Sequence, residues 1–230
     1  ANIDGMIMDA NGLDLTDWRN DVAEKGKLTN LDEIIQFVKD EKPLNPIFVD
    51  CTASYDLPNR YLDILEAGMH IATPNKRANS MSMDFYHELR KTANRMHRRF
   101  LYETNVGAGL PIIDTLQNLF KSGDKLTGFY GIMSGSLSYI FGRLDEGVSF
   151  SRAVIEAREK RYTEPDPRDD WAGLDVARKA LIIAREAGME LELEDIKINR
   201  VFPEDFDDSG TVEEFLEKLP QLDKYFAEKM

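Results

Sequence analysis

The stretch Pro46-Ile47-Phe48-Val49-Asp50-Cys51 decides the fold class of this chain. It is a short and nearly continuous apolar run, which is typical of a strand buried on both faces. Two further strands are predicted at 70–73 and 99–103, and helices at about 58–67 and 83–95 separate the three strands. Strands that alternate with helices predict an α/β fold with a parallel, doubly wound sheet.

The carboxyl ends of these strands are the expected place for a ligand, because open α/β sheets bind ligands there. Residues 52–54 and 74–77 follow two of the strands and would lie at that edge. A complete dinucleotide domain also opens with a strand, a glycine-rich turn and a helix. No such glycine pattern stands before Pro46, and the dense cluster Gly107-Ala108-Gly109 comes after a late strand.

The pattern of elements changes after Gly107. Helices are predicted at about 109–120, 136–145, 149–160 and 170–187, with a last one from Thr211, and strands at 126–133 and 195–201. We therefore predict a Rossmann-like first domain over residues 1–105 and an α+β second domain over residues 106–230.

Composition excludes several classes of function. The formal net charge of −13 over 230 residues argues against binding to nucleic acid or to anionic membrane surfaces. No apolar run approaches the roughly 20 residues of a membrane span. The single cysteine, Cys51, excludes an internal disulfide framework and indicates a cytoplasmic location.

An acidic loop carries the strongest chemical signal. It reads Tyr162-Thr163-Glu164-Pro165-Asp166-Pro167-Arg168-Asp169-Asp170, and Asp175 and Lys179 follow on the next predicted helix. Proline fixes φ, so the carboxylates sit on a stiffened loop. Asp175 and Lys179 are four residues apart and share a helix face. This pattern predicts a site for a small cationic substrate that gains or loses a proton; an ordinary exposed ion pair, worth about 0.3–0.5 kcal/mol, is the alternative interpretation.

Four motifs carry a resemblance to a known family. They are Thr73-Pro74-Asn75-Lys76, Glu103-Thr104-Asn105-Val106-Gly107-Ala108-Gly109-Leu110-Pro111, Ser134-Gly135-Ser136-Leu137-Ser138-Tyr139-Ile140, and the acidic loop with Gly173-Leu174-Asp175-Val176-Ala177-Arg178-Lys179. In this order they resemble homoserine dehydrogenase, over nearly all of the chain. The likeness is greatest to the dehydrogenase half of the bifunctional aspartokinase–homoserine dehydrogenases.

The resemblance implies an incomplete nucleotide domain. The family's first strand, glycine-rich loop and first helix would precede Ala1, and its closing segment would follow Met230. We therefore expect a chain that is truncated at both ends and inactive alone.

The resemblance also implies a reaction. The family reduces L-aspartate 4-semialdehyde reversibly to L-homoserine with NAD(P)H, on the route to threonine and methionine, and it assembles as homodimers or higher homo-oligomers. NAD and NADP both stay open for this chain. Two rival interpretations are a dehydrogenase for another small polar substrate and a non-catalytic piece that serves association or regulation.

Site residues follow from the same resemblance. Lys179 takes the position of the general acid/base. Substrate-binding positions are Glu164, Asp170, Asp175 and Lys76; cofactor-contacting positions are Thr52, Ala53, Lys76 and Arg161. Glu103, Val106, Ala108 and Leu110 resemble a monovalent-cation site, usually for sodium, that is made largely of backbone carbonyls. An alternative role for the nearby glycines is a tight strand-to-helix turn.

Three expectations concern the acidic loop and the helix that follows it. Asp166 and Asp169 are expected to serve the loop, as a turn former and a helix cap, and Arg168 to neutralise neighbouring carboxylates. Arg161 stands where the family commonly has glycine, close to the cofactor, so its side chain would block that place or contact a phosphate. Trp171 replaces a smaller aliphatic residue and is expected to pack on the helix start.

Overall fold

The structure is a computed structural model that describes residues 1–163, 166–199, 201–203 and 205–229, without the side chain of Asp169. The chain divides into two compact units. The first contains residues 1–78 and 84–102, and the second contains residues 79–83 and everything from residue 103 onward.

A three-stranded parallel sheet forms the frame of the first unit. The strands are β1 (Ile47–Val49), β2 (His70–Ala72) and β3 (Phe100–Leu101), in the spatial order β1-β2-β3. β2 is the central strand, and both of its pairings are parallel. The predicted α/β class with a parallel sheet is confirmed.

The prediction that β1 is buried on both faces is wrong. Ile47 and Val49 are 60% and 63% exposed, whereas Phe48 between them packs against the core. β1 lies at the edge of the sheet, because within the described chain only β2 pairs with it. A cavity of about 610 Å³ lies against this strand and is also lined by Met6, Ile7 and Met8.

Helices lie before and between these strands in the sequence. They are α1 (Trp18–Lys25), α2 (Leu31–Glu41), α3 (Tyr61–Glu66), α4 (Arg77–Ser80) and α5 (Met83–Arg95), with a 3₁₀ turn over Leu57–Arg60. The side chain of Asn30 accepts the N–H of Asp32 at 2.9 Å and caps the start of α2. Fully buried core residues of the unit include Tyr61, Ile64 and Leu89.

The described part of the second unit is helical. Its helices are α6 (Ile112–Lys121), α7 (Gly135–Asp145), α8 (Phe150–Glu159), α9 (Pro167–Trp171), α10 (Leu174–Glu186), α11 (Val212–Lys218) and α12 (Asp223–Ala227), with 3₁₀ turns over Glu103–Asn105, Leu193–Asp195 and Leu219–Leu222. Aromatic side chains fill its core: Phe150, Trp171, Phe202, Phe206, Phe215 and Phe226. Trp171 lies 5.1 Å from Phe150 and 5.3 Å from Phe202 between ring centroids, so it serves packing, as expected.

The described residues of the two strands predicted for the second unit do not form strands. Residues 126–133 are extended but unpaired, and Phe129, Tyr130 and Ile132 are 50%, 98% and 74% exposed. Leu193–Asp195 is a 3₁₀ turn, and residues 196–199 have no regular structure. A strand needs a neighbour for its backbone hydrogen bonds, and the described residues of this unit supply none.

The helix predicted over 170–187 is two helices. Gly173 separates α9 from α10 with φ of +71°, a conformation that glycine adopts at little cost. A Cβ atom at this position would lie 3.0 Å from Cγ2 of Ile198. Among the described helices, none has both the length and the apolar character that crossing a bilayer requires.

Candidate functional site

A cavity of about 510 Å³ within the second unit is lined by polar and charged residues from several helices. It is lined by Ser134, Gly135, Ser136, Tyr139, Arg161, Tyr162, Asp170, Asp175 and Lys179. The cavity therefore brings together four of the predicted site residues: Lys179, Asp170, Asp175 and Arg161.

Lys179 is held in this cavity by two acceptors. Its Nζ atom donates to the carbonyl oxygen of Met133 at 2.7 Å and lies 2.6 Å from a carboxylate oxygen of Asp175. The lysine side chain is only 15% exposed, whereas that of Asp175 is 51% exposed. An ordinary surface pair would leave the ammonium in water. The geometry favours a shielded and oriented amine with a concave space beside it.

Asp170 is fixed by hydroxyl groups from the start of α7. The Oγ atom of Ser136 donates to Oδ1 of Asp170 at 2.7 Å, and the Ser134 and Ser136 hydroxyls are 2.9 Å apart. Ser134 also caps α7, because its Oγ accepts the N–H of Leu137 at 3.2 Å. The site assignment from sequence did not include either serine. A Ser-Gly-Ser run at a predicted helix start was the available signal.

Other charged residues of the acidic loop serve its conformation. Asp166 accepts the N–H of Arg168 at 3.0 Å and begins α9. The Arg168 guanidinium contacts that carboxylate at 2.6 Å and donates to the carbonyls of Asp208 and Gly210. Hydrogen bonds from Arg168 hold the pKa of Asp166 below its ordinary value. The cap and the neutralising arginine are as predicted, while Glu164 and the side chain of Asp169 lie outside the described residues.

Arg161 occupies a backbone position that suits glycine. Its φ is +59°, in the left-handed region. The N–H of Arg161 donates to the carbonyl of Arg158 at 2.9 Å, and the N–H of Tyr162 donates to that of Ala157 at 2.9 Å. This pair of bonds is a Schellman motif that ends α8, and its left-handed residue is usually glycine.

Buried polar contacts fix the loop that follows β1. The N–H of Thr52 donates to Oδ1 of buried Asp50 at 2.7 Å, and the Thr73 hydroxyl donates to the Asp50 carbonyl at 2.9 Å. The Tyr61 hydroxyl donates to the Asp50 carboxylate as well. Burial, with the neighbouring carboxylate, raises the pKa of Tyr61 above its ordinary value. Thr52 and its neighbour Ala53 are thus presented at the carboxyl edge of the sheet.

Lys76 follows β2 and belongs to the first unit. Asn75 beside it donates through Nδ2 to the carbonyl of Ser54 at 3.0 Å, so the segments after β1 and β2 are tied together. The two predicted cofactor positions Thr52 and Lys76 therefore follow neighbouring strands of one sheet.

The loop over 103–110 begins with a helix cap. Both carboxylate oxygens of Glu103 accept backbone N–H groups, from Ile113 at 2.8 Å and from Asp114 at 2.9 Å. This charge at the start of α6 stabilises the helix. Ala108 has φ of +52° in the same loop. No group of three or more His, Cys, Asp or Glu side chains in the described chain is placed to hold a metal.

Comparison with known proteins identifies two matching family profiles. The profile of homoserine dehydrogenase matches residues 111–229, and that of the NAD-binding domain of homoserine dehydrogenase matches residues 5–103. The bifunctional aspartokinase/homoserine dehydrogenase of Haemophilus influenzae is 50% identical over 230 residues, which are all of this chain and 28% of that relative.

Two solved structures are similar to the chain. A Candida auris protein of unknown function is 37% identical with a TM-score of 0.82, over 93% of this chain and 62% of that one. A hyperthermophilic archaeal homoserine dehydrogenase in complex with NADPH is 25% identical with a TM-score of 0.60, over 76% of this chain and 55% of that one.

Proposed function

Because the chain belongs to the homoserine dehydrogenase family, we propose that it forms part of an enzyme that interconverts L-aspartate 4-semialdehyde and L-homoserine with NAD(P)(H). The observation that carries the proposal is the placement of Lys179 in one cavity with Asp170 and Asp175. The Haemophilus relative supports a bifunctional aspartokinase–homoserine dehydrogenase as the parent protein, acting on the route to threonine and methionine.

The two domains have separate tasks in this proposal. Residues 1–105 contribute to the nucleotide-binding domain, and residues 106–230 form the substrate and dimerisation domain. The division of the chain near residue 103 supports this assignment. We also propose a homodimer or higher homo-oligomer, which the exposed apolar side chains of Phe129, Tyr130 and Ile132 support. The single cysteine supports a cytoplasmic location.

Lys179 is the proton donor in the proposed reduction. Reducing the aldehyde requires a proton at the carbonyl oxygen, and a positioned ammonium supplies it. The Met133 carbonyl and the Asp175 carboxylate fix the direction of the amine. In the reverse direction the neutral amine accepts the proton from the homoserine hydroxyl.

Asp170 is the proposed acceptor for the substrate ammonium. Its carboxylate lines the cavity, and the Ser136 hydroxyl, which donates to Oδ1, holds the carboxylate in place. Holding the ammonium fixes the position of the carbonyl carbon relative to Lys179, and such orientation accounts for a large part of catalysis. Asp175, Glu164 and Lys76 complete the proposed substrate-binding set.

The nicotinamide cofactor supplies the hydride when it is bound. The proposed contacts are Thr52, Ala53 and Lys76. The carboxyl edge of a parallel sheet fits a dinucleotide, and the buried Asp50 network keeps the Thr52 segment in place.

A monovalent cation, sodium in the resemblance, would lie on the loop from Glu103 to Leu110. In the described chain, the backbone carbonyls of Val106 and Ala108 accept no hydrogen bond, and such oxygens suit a hard cation. The Glu103 carboxylate is engaged at the start of α6, so its contribution would come from its carbonyl.

The test is a Lys179→Ala substitution in the full-length gene product that contains this sequence. We expect turnover of aspartate semialdehyde to fall by roughly 100- to 10,000-fold, because a general acid contributes about that much. Circular dichroism would report retained folding. Lys25→Ala is the matched control, since Lys25 also pairs with an aspartate four residues earlier but is 68% exposed.

Unchanged turnover in Lys179→Ala would remove this residue from the mechanism. Comparing aspartate semialdehyde with other small aldehydes as substrates separates the proposed activity from that of a dehydrogenase with a different polar substrate.

A further inference from the structure

Arg161 differs from the other charged residues of the cavity, because no described residue is its partner. Lys179 is engaged by Asp175 and Met133, and Asp170 receives Ser136. Within the described part of the chain, the Arg161 guanidinium forms no hydrogen bond, ion pair or ring contact, although its residue lines the same cavity. The described residues therefore leave one unpaired cation beside the proposed proton donor.

The backbone at Arg161 adopts a conformation that favours glycine, and the residue is exposed. The residue closes α8 in the left-handed conformation, with φ of +59°. Gly188 occupies the corresponding place after α10, with φ of +83°. Glycine adopts such a conformation without a steric cost, whereas arginine does not. Strain of this kind concentrates at functional sites.

We propose that Arg161 binds an oxyanion of the ligand in this cavity, and that this oxyanion is the α-carboxylate of the amino-acid substrate. The inference rests on the proposed function. Homoserine carries an ammonium, a carboxylate and a hydroxyl. Asp170 suits the ammonium and Lys179 the hydroxyl, so the carboxylate requires a further cation, and a guanidinium matches its two oxygens with two parallel hydrogen bonds.

A phosphate of the cofactor has the same oxyanion chemistry, and the experiment separates the two sources. Calorimetric titration would measure the binding of L-homoserine, 3-aminopropan-1-ol and NADPH to the full-length gene product that contains this sequence and to its Arg161→Gly and Arg161→Lys variants. The amino alcohol has the ammonium and hydroxyl of homoserine but lacks the carboxylate.

We expect Arg161→Gly to weaken L-homoserine binding by roughly 10- to 100-fold, which is the range for losing a charge-assisted hydrogen-bonded pair. Binding of 3-aminopropan-1-ol and of NADPH should not change. Arg161→Lys should recover only part of the loss, because an ammonium cannot form the bidentate contact. Arg152→Ala is the control on the same helix, since Arg152 is 61% exposed and pairs with Glu156.

The glycine variant is expected to fold, because it relieves the left-handed arginine, and thermal unfolding checks this. Equal homoserine affinity in wild type and Arg161→Gly would overturn the inference and leave the role of Lys179 intact. Weaker binding of NADPH alone would assign Arg161 to a cofactor phosphate and overturn it as well. Absence of homoserine binding by the wild-type full-length gene product at millimolar concentration would contradict both the inference and the substrate assignment.

Discussion

Replacing Arg185 by methionine is expected to destabilise the second unit by about 3–5 kcal/mol, the usual effect of removing one partner of a buried ionic network. The arginine side chain is 0% exposed. Its guanidinium donates to the carbonyls of Asn79 at 3.0 Å, Met81 at 2.8 Å and Leu191 at 2.8 Å, and it lies 2.9 Å from the carboxylate of Glu192. Methionine retains much of the volume but supplies no donor.

The magnitude follows from the acceptors that would be left behind. Three backbone carbonyls lose a charged donor, and an unsatisfied buried acceptor costs about 1–3 kcal/mol. Water and local relaxation reduce the summed cost of the three carbonyls, which leads to the expected loss of about 3–5 kcal/mol. Segment 79–83 keeps two other anchors, the Asn79–Asn105 bond at 2.9 Å and the bond from the Met83 N–H to Glu192 at 2.8 Å. Loss of Arg185 should therefore destabilise the unit without detaching this segment.

Urea unfolding followed by tryptophan fluorescence measures the effect. The chain has two tryptophans, Trp18 and Trp171, so a Trp18→Phe background leaves the buried Trp171 as the reporter of the second unit. Arg185→Lys should recover less than half of the loss, because one ammonium cannot reach three carbonyls. Arg152→Met serves as an exposed control. A decrease of less than about 1 kcal/mol in the free energy of unfolding of Arg185→Met would contradict this prediction, because removal of a buried guanidinium is expected to destabilise the unit by more than that.

Two further predictions concern hydroxyl and carboxylate groups near the cavity. Ser136→Ala removes the 2.7 Å hydrogen bond to Asp170. We expect steady-state assays of the full-length gene product to show a roughly tenfold lower kcat/KM, mostly through a higher KM. Ser136→Thr should restore kcat/KM, because threonine keeps the hydroxyl group. An unchanged KM would show that Asp170 needs no such support. The pKa of Asp166 is lowered by Arg168, so its stabilising effect is present above the ordinary value of 3.8 and is lost as the pH falls through the lower folded value. Thermal unfolding between about pH 5 and pH 2 should therefore show a steeper loss in wild type than in Asp166→Asn, and parallel curves would refute this.

Local sequence patterns predicted correctly those helices and strands that pack against or pair with described residues. α5 begins at Met83 and ends at Arg95, as predicted, because its apolar positions repeat with the helical period and meet the core. β2 lies between two strands and was predicted within one residue. The stretch 126–133 has the same strand-like composition, yet it stays unpaired. A pattern of side chains indicates the propensity of a segment to form a strand. Backbone hydrogen bonds to a neighbouring strand decide whether the strand forms.

Some contacts of the candidate site could likewise be predicted from the sequence, and others could not. The spacing of Asp175 and Lys179 placed both on one face of α10, because that relation is local to a helix. The carbonyl of Met133 lies 46 residues away from Lys179 in sequence and carries no side-chain signal, so its contact with the amine could not be predicted. The Ser136–Asp170 bond likewise joins two helices that are distant in sequence. Contacts between residues distant in sequence, and contacts to backbone carbonyls, therefore become visible only in the folded structure.

Two left-handed residues enclose the acidic loop, Arg161 where α8 ends and Gly173 where α10 begins. The physical rule for such positions is the same at both, and it favours glycine. The chain follows the rule at Gly173, where a Cβ would meet Ile198, and departs from it at Arg161, beside the cavity. Arginine at this position costs more backbone free energy than glycine would, and its exposed guanidinium gains no contact with a described residue in return. In our proposal a bound anion supplies that contact, so the arginine serves the ligand and not the loop.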